Sequence, residues 1–466
     1  MGWIKRRLPT KRWKRGALYA VSTLLVAGAA DMGLVQYWRR IEISPETTRV
    51  VGPLNEAGTP DYITALNEKY GKGVTEENNA AGLLLKVMGM TASELSAPEL
   101  KTDTQRKTPK AEIVDFLAWV RAAPNKEGLP SEVDAYRLEG DIRRSPWKGS
   151  EHPAWARWLD DQARGLADVR RAVERPRLYV PLGTPQTRPG DIASAINSEN
   201  NLWDGERVIY GALLASAMRR AGEGDSAGFR EDILAAMKLA RLIGNGPMLL
   251  NVIAGHAIEG AAVRVVRVAA TTPGVLSAGE CRKLLAEMDA VGPIPGLVEV
   301  WDCQVRWLVL DSLCSYAKEG SAVIESPPEP TRLATIAAAI LPVNFNAQMR
   351  QANGAMDECL AALRLPTYAA RMARLRAIRA RYASAKGLLV TDYPHLYYMP
   401  LFASIDDKAY FLYERARAEG DLARVALGLT AYRGERRAYP EKLEELKAAG
   451  ILREVPRDGF SDGPLV

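Results

Sequence analysis

The stretch SAGFREDILAAMKLARLI, at 226–243, decides the fold of this 466-residue chain. Its apolar side chains recur at three- and four-residue spacing, which is the period of an amphipathic helix. Glycine-containing turns stand on both sides of it, at 222–225 and 244–247, and such turns end helices. Because amphipathic helices joined by short turns pack antiparallel, this stretch predicts helical hairpins.

The same pattern extends over most of the chain, and few stretches alternate in the manner of strands. Further helices are predicted at 60–70, 75–85, 111–123, 152–174, 203–221, 248–270, 278–290, 297–318, 348–363 and 367–386. We therefore expect an all-α protein of antiparallel helical hairpins, with a solenoid as one arrangement of them. We also expect an N-terminal transmembrane helix and a small C-terminal cap.

The N-terminus has the features of an export signal. Seven of the first 15 residues are Lys or Arg, no acid precedes Asp31, and an apolar run follows the basic block. One interpretation is an uncleaved anchor over 16–38, which is 23 residues long, where about 20 helical residues cross a bilayer. The other is a signal peptide cleaved after Ala29. We favour the anchor, because Tyr37 and Trp38 would lie at the far interface.

Charge places further limits on location and partners. The formal net charge is +6, from 62 basic and 56 acidic residues. Without the seven basic residues of the first 15, 55 basic and 56 acidic residues remain, a net charge of −1. A nucleic-acid-binding protein would carry its basic excess on the folded body, so no nucleic-acid partner is expected. We expect a single-pass protein of the bacterial inner membrane, held by its N-terminal helix, with a cytoplasmic N-terminus, an exported body and a protein partner.

Composition suggests five regions along the chain. Four prolines between 176 and 189, followed by a polar stretch at 197–201, mark the best internal boundary. The predicted regions are the basic segment and anchor at 1–40, a linker at 41–60, an N-terminal helical region at 61–200, a central helical-hairpin domain at 201–435 and a tail module at 436–466.

Residues able to do chemistry are few. His256 and Glu259 stand three residues apart on an apolar helix, so both lie on one face. Such a pair can bind a metal, act as an acid–base couple, or form a buried hydrogen-bonded contact. It lacks the second histidine of the H-E-x-x-H metalloprotease motif. The four cysteines form no C-x-x-C pair, and no cofactor is predicted.

The C-terminus resembles a known family. A helix end is followed by Tyr-Pro and Leu-x-x-Leu at 439–446 and by VPRDGFSDGPL at 455–465. This order is similar to the tail of the major pseudopilins of type II secretion, although Gly459 stands where that family has proline. The tail loop of those proteins binds calcium, so the resemblance makes Asp458 and Asp462 candidate metal ligands. Two acids fall short of the six to eight oxygen ligands that calcium takes.

A second resemblance covers more of the chain. The tail, and the Asn-Asn-Ala-rich helix start at 77–81, are similar to those of uncharacterised, membrane-anchored helical proteins of the bacterial envelope. With no catalytic constellation in view, we expect an envelope scaffold or partner-binding protein. The alternatives are an envelope hydrolase that uses His256 and Glu259, or a secretion or pilus-like component.

Overall fold

A computed structural model describes most of the body of the protein. The described residues are 40–90, 111–123, 128–131, 133–134, 142–183, 191–319, 344–384, 393–461, 463 and 465. The predicted anchor at 16–38 lies outside them. The side chains at 191, 193–204, 382–384 and 393–408 are likewise outside the description.

Helices dominate the described residues, and no strand occurs among them, which confirms the predicted mostly helical fold. The helices are α1 (Tyr62–Gly71), α2 (Ala81–Met88), α3 (Phe116–Ala122), α4 (Pro153–Asp161), α5 (Ala163–Ala172), α6 (Asp191–Glu223), α7 (Ser226–Gly244), α8 (Leu249–Thr271), α9 (Ala278–Val291), α10 (Arg306–Glu319), α11 (Phe345–Leu363), α12 (Tyr368–Ser384), α13 (Tyr393–Arg436) and α14 (Glu444–Ala448). A short helical turn, Val298–Val300, and a π-helical turn, Trp301–Val305, lead directly into α10.

Side chains at the helix ends explain several of these bounds. Asp225 precedes α7 and accepts a hydrogen bond from the backbone N–H of Gly228, at 2.9 Å. Ser277 and Glu280 form a reciprocal capping box at the start of α9. Both arrangements pair N–H groups that a helix leaves unsatisfied at its first turn. The turn predicted before α7 and the segment before α9 therefore contain side chains that cap these helices.

The helix α8 is central, and it packs most extensively on α13 and α7. It crosses α7 at Gly255, where a Cβ atom would lie 2.6 Å from the carbonyl oxygen of Ala240, so only glycine allows this close approach. Among the described residues, α8 alone is long and apolar enough to cross a membrane, but 72% of its most apolar window is buried within the protein. Such burial is typical of a core helix.

Two hydrophobic clusters form the interior. The first cluster contains residues of the helices from α2 through α9, of the second half of α13 and of the tail. The second contains residues of α1, α10, α11 and α12 and of the start of α8. The helix α8 contributes to both, through Leu249 and Val252 to the second and Val263 and Val266 to the first. The contact between α8 and α13 links residues far apart in sequence, unlike the nearest-neighbour packing of a solenoid.

Several helices differ in extent from the sequence prediction, and α6 differs most at a predicted boundary. The predicted boundary between 200 and 201 falls inside α6, which is continuous from Asp191 to Glu223. The polar stretch at 197–201 is therefore helical and does not form a linker. Composition alone suggested a loop, but a helix can carry a polar stretch, because its backbone hydrogen bonds do not depend on apolar side chains. The division into regions at 61–200 and 201–435 itself remains a prediction.

Candidate functional site

His256 and Glu259 share a face of α8, but each contacts a different partner. Nε2 of His256 donates a hydrogen bond to the carbonyl oxygen of Pro295, at 2.8 Å. Glu259 forms a buried ion pair with Arg241 of α7, with Nη2 and Oε1 3.1 Å apart. Arg241 also donates to the carbonyl oxygen of Gly292, at 2.8 Å. These contacts tie α7 and α8 to the loop after α9.

The buried ring of His256 is neutral in this environment. Burial lowers the pKa of His256, the carbonyl of Pro295 acts in the opposite direction, and the nearby positive charge of Arg241 lowers the pKa further. Nδ1 has no hydrogen-bond partner among the described residues, and the ring packs on Tyr413 with centroids 5.0 Å apart. Because Pro295 offers only an acceptor, Nε2 carries the proton and Nδ1 keeps a lone pair.

The tail acids lie in a tight turn. The carboxylate of Asp458 accepts hydrogen bonds from the backbone N–H of Phe460, at 3.0 Å, and from the hydroxyl of Ser461, at 2.6 Å. These bonds lower the pKa of Asp458. Asp462, the second acid suggested by the pseudopilin resemblance, lies outside the described residues. Among the residues that the structure does describe, no three His, Cys, Asp or Glu side chains come together in a manner that could hold a metal ion.

A large open cleft lies where the tail meets the body. Its volume is about 970 Å³, and its walls come from α9, α13, the start of α12 and the tail at 450–459. We call it the tail cleft. Its charged lining consists of Arg282, Arg371, Arg417, Arg424, Arg453, Arg457, Asp289, Glu414, Asp421, Glu454 and Asp458. With six arginines and five acids, it offers sites for both signs of charge.

The charges on the α9 side of the cleft form a connected network. Asp289 of α9 accepts from Nε of Arg424, at 3.3 Å, and lies 3.3 Å from Nε of Arg453 in the tail. On the other side of the same guanidinium group, Asp421 is 3.9 Å from Nη1 of Arg424. Burial raises the pKa of Asp421, and the charges of Arg424 and Arg417 oppose this rise. The network therefore connects α9, α13 and the tail through charged side chains.

The α12 side of the cleft is held by one buried carboxylate. Glu414 of α13 is almost fully buried and forms an ion pair with Arg371 of α12. It also lies 3.3 Å from Nη1 of Arg417. Arg371 in turn donates to the carbonyl oxygen of Pro366, at 3.0 Å. These contacts pair the charge of Glu414, which a buried carboxylate requires.

The tail cleft had a sequence signal that our sequence reasoning missed. Glu414, Arg417, Asp421 and Arg424 recur at three- and four-residue spacing, so they form one charged stripe on α13. A stripe of this kind is normally a solvated face. What distinguishes it here is the tail, which folds back opposite the stripe, and no local pattern predicts that position.

Comparisons with protein families, with curated proteins and with solved structures found no match.

Proposed function

We propose that this protein is a membrane-anchored scaffold of the bacterial envelope that binds a protein partner in the tail cleft. The observation that supports this most is the cleft itself, which is long, open and lined by both signs of charge. We propose an extended peptide segment with acidic and basic side chains as the occupant. Charged groups of both signs along a groove fix the register of such a segment and exclude others.

Fixed and exposed charges have separate roles in this proposal. Arg371 and Glu414 hold the wall, whereas the side chain of Arg453 is 84% exposed and Arg457 is also exposed. Exposed rim charges mainly affect the rate of encounter, and groups within the groove affect the lifetime of the complex. Leu285 and Ile451 add an apolar surface between the charges, and apolar burial contributes to affinity.

The membrane part of the proposal depends on the N-terminal sequence. The basic block and the apolar span at 16–38 would hold the body close to the exported face of the inner membrane. The hydrolase alternative has less support, since its two residues, His256 and Glu259, are buried and bound to Pro295 and Arg241.

Site-specific photo-crosslinking in cells tests the proposal. A photoreactive residue in place of Arg453 should give one discrete adduct with an envelope protein. The matched control is Arg164 on α5, whose side chain is 81% exposed but lies away from the cleft. The same adduct from both positions, or none from Arg453, would contradict the proposal.

A cleft-filling variant then tests whether the captured protein binds in the cleft. Ala286 is an exposed alanine in the lining, so Ala286→Trp should block the cleft and weaken binding of the purified adduct partner at least about tenfold. Ala163→Trp places the same bulk at an exposed alanine of α5 and should leave Kd unchanged. Equal affinity of wild type and Ala286→Trp, measured by titration calorimetry, would show that the partner does not use the cleft.

A further inference from the structure

A lysine, a cysteine and a carboxylate meet where α1 contacts the π-helical turn. Nζ of Lys69, in the last turn of α1, lies 2.8 Å from Sγ of Cys303. The same Nζ lies 3.3 Å from Oε1 of Glu299. Cys303 belongs to the π-helical turn Trp301–Val305, and such turns within helices frequently occur at functional sites.

The three groups differ in their access to solvent. Cys303 is only 7% exposed, but the side chains of Lys69 and Glu299 are 39% and 70% exposed. The lysine and the carboxylate therefore form the solvent-facing side of the cluster, and we expect a small oxidant to reach the buried sulfur more readily than a larger reagent. Burial raises the pKa of Cys303, and Lys69 opposes the rise. The thiol is therefore mostly protonated, and its oxidation is slow.

We propose that Lys69 and Cys303 form a covalent oxidative crosslink in which one oxygen atom bridges Nζ and Sγ, with hydrogen peroxide as the oxidant. The short N–S separation is close to the span of one bridging oxygen. A direct N–S bond would require the two side chains to approach much further.

Two equivalents of peroxide complete the reaction. The first converts the S–H of Cys303 to S–OH and releases one water. The second forms the N–O bond between that oxygen and Nζ and releases two waters, while N–H and O–H bonds break. Each step is a two-electron oxidation, and each peroxide is reduced to water. Before the second step the ammonium of Lys69 loses one proton, and the adjacent carboxylate of Glu299 is placed to accept it.

The crosslink is specific to one cysteine. All four cysteines are buried and none forms a disulfide with another described residue, and the lysine nitrogen described at a cysteine sulfur is that of Lys69 at Cys303. Cys281 provides a matched comparison, because it is buried on α9 beside the acidic residue Glu280. Within the part of the chain that the structure describes, no amine is in contact with its thiol.

Mass spectrometry of the full-length protein, purified in detergent and treated with hydrogen peroxide, tests the proposal. The crosslink adds one oxygen and removes two hydrogens, so the protein should become about 14 Da heavier, and a thiol reductant should reverse the change. Tryptic mapping should join the peptides that contain Lys69 and Cys303. Lys69→Arg keeps the positive charge and should lose the adduct, and Cys281→Ala should keep it.

Three results would overturn the proposal. One is a 14 Da increase that survives in Lys69→Arg, or that a reductant does not reverse, since methylation gives the same mass. Another is oxidation of Cys303 to the sulfinic acid alone, with about 32 Da added. The third is equal adduct formation in Cys303→Ala. A melting curve for each variant shows that it is folded before treatment.

Discussion

At the scale of single residues, the chemistry-bearing side chains of α8 stabilise the fold. His256 and Glu259 looked like a reactive pair because they share a helix face. Their partners, Pro295 and Arg241, come from other elements of the chain. Spacing along one helix predicts which side chains are neighbours on it, but it carries no information on what packs against them. For this reason the sequence located the pair and could not distinguish a site from a buried contact.

The stability of the protein should depend on the charge of His256. Its pKa in the folded protein is below the ordinary value of 6.5, so the unfolded chain binds this proton first as the pH falls. The contribution of the neutral ring is fully present above about pH 6.5 and is lost as the pH falls through the lowered pKa. His256→Gln keeps a donor for Pro295 but cannot be protonated. Urea unfolding at pH 7.5 and 5.5 should therefore show a smaller loss of stability in the variant, by at most about 1.4 kcal/mol per pH unit. Equal losses in both proteins would contradict this assignment.

At the scale of elements, the Asn-Asn-Ala motif joins two distant segments. The side chain of Asn79 accepts from the backbone N–H of Tyr179, at 2.9 Å, and donates to the carbonyl oxygen of the same residue, at 2.8 Å. It also accepts from the N–H of Ala81 at the start of α2. The side chain of Asn78 instead bonds within its own turn, to Gly73 and Thr75, while its backbone carbonyl accepts from the N–H of Arg177, at 3.1 Å. The sequence indicated a helix start here. The segment around Tyr179 that pairs with it is 100 residues further along the chain, so no local pattern predicts the contact.

Removal of this side chain should loosen the chain at Tyr179, while Arg177 and Leu182 keep their own hydrogen bonds. Asn79→Ala leaves the N–H and carbonyl of Tyr179 without their partners, and each such loss costs about 1–3 kcal/mol. Hydrogen exchange should show faster exchange of the Tyr179 amide together with a lower Tm. Glu76→Ala, an exposed neighbour whose backbone alone is used, should change neither. Unchanged protection of Tyr179 in Asn79→Ala would show that the segment is held by other contacts.

At the scale of the whole molecule, α8 and α13 unite the two hydrophobic clusters. Ala409 and Tyr410 of α13 belong to the second cluster, and Ala423 and Leu427 belong to the first. The tail packs beside this second half of α13, where Leu446, Ile451 and Leu452 are buried. Turn signals predicted the separate helices well, since a cap or a glycine acts locally. The return of α13 across α8 depends on contacts between distant residues, and hydrophobic periodicity does not specify which apolar faces meet.

The tail is therefore expected to behave as part of the body. Leu446 is fully buried against α13, close to Gly428, and Arg282 of α9 holds the chain beyond it through the carbonyl oxygen of Gly450, at 3.1 Å. Leu446→Ala should lower the free energy of unfolding by about 2–5 kcal/mol, because it removes a buried side chain and leaves a cavity. Trypsin should then cut quickly between Arg433 and Lys447, where the wild type resists. The exposed neighbour Glu444 provides the control, since Glu444→Ala should leave both stability and cleavage rate unchanged. Rapid cutting of the native wild-type protein in this interval, with the rest of the body intact, would show that the tail is not packed and that the tail cleft lacks one wall.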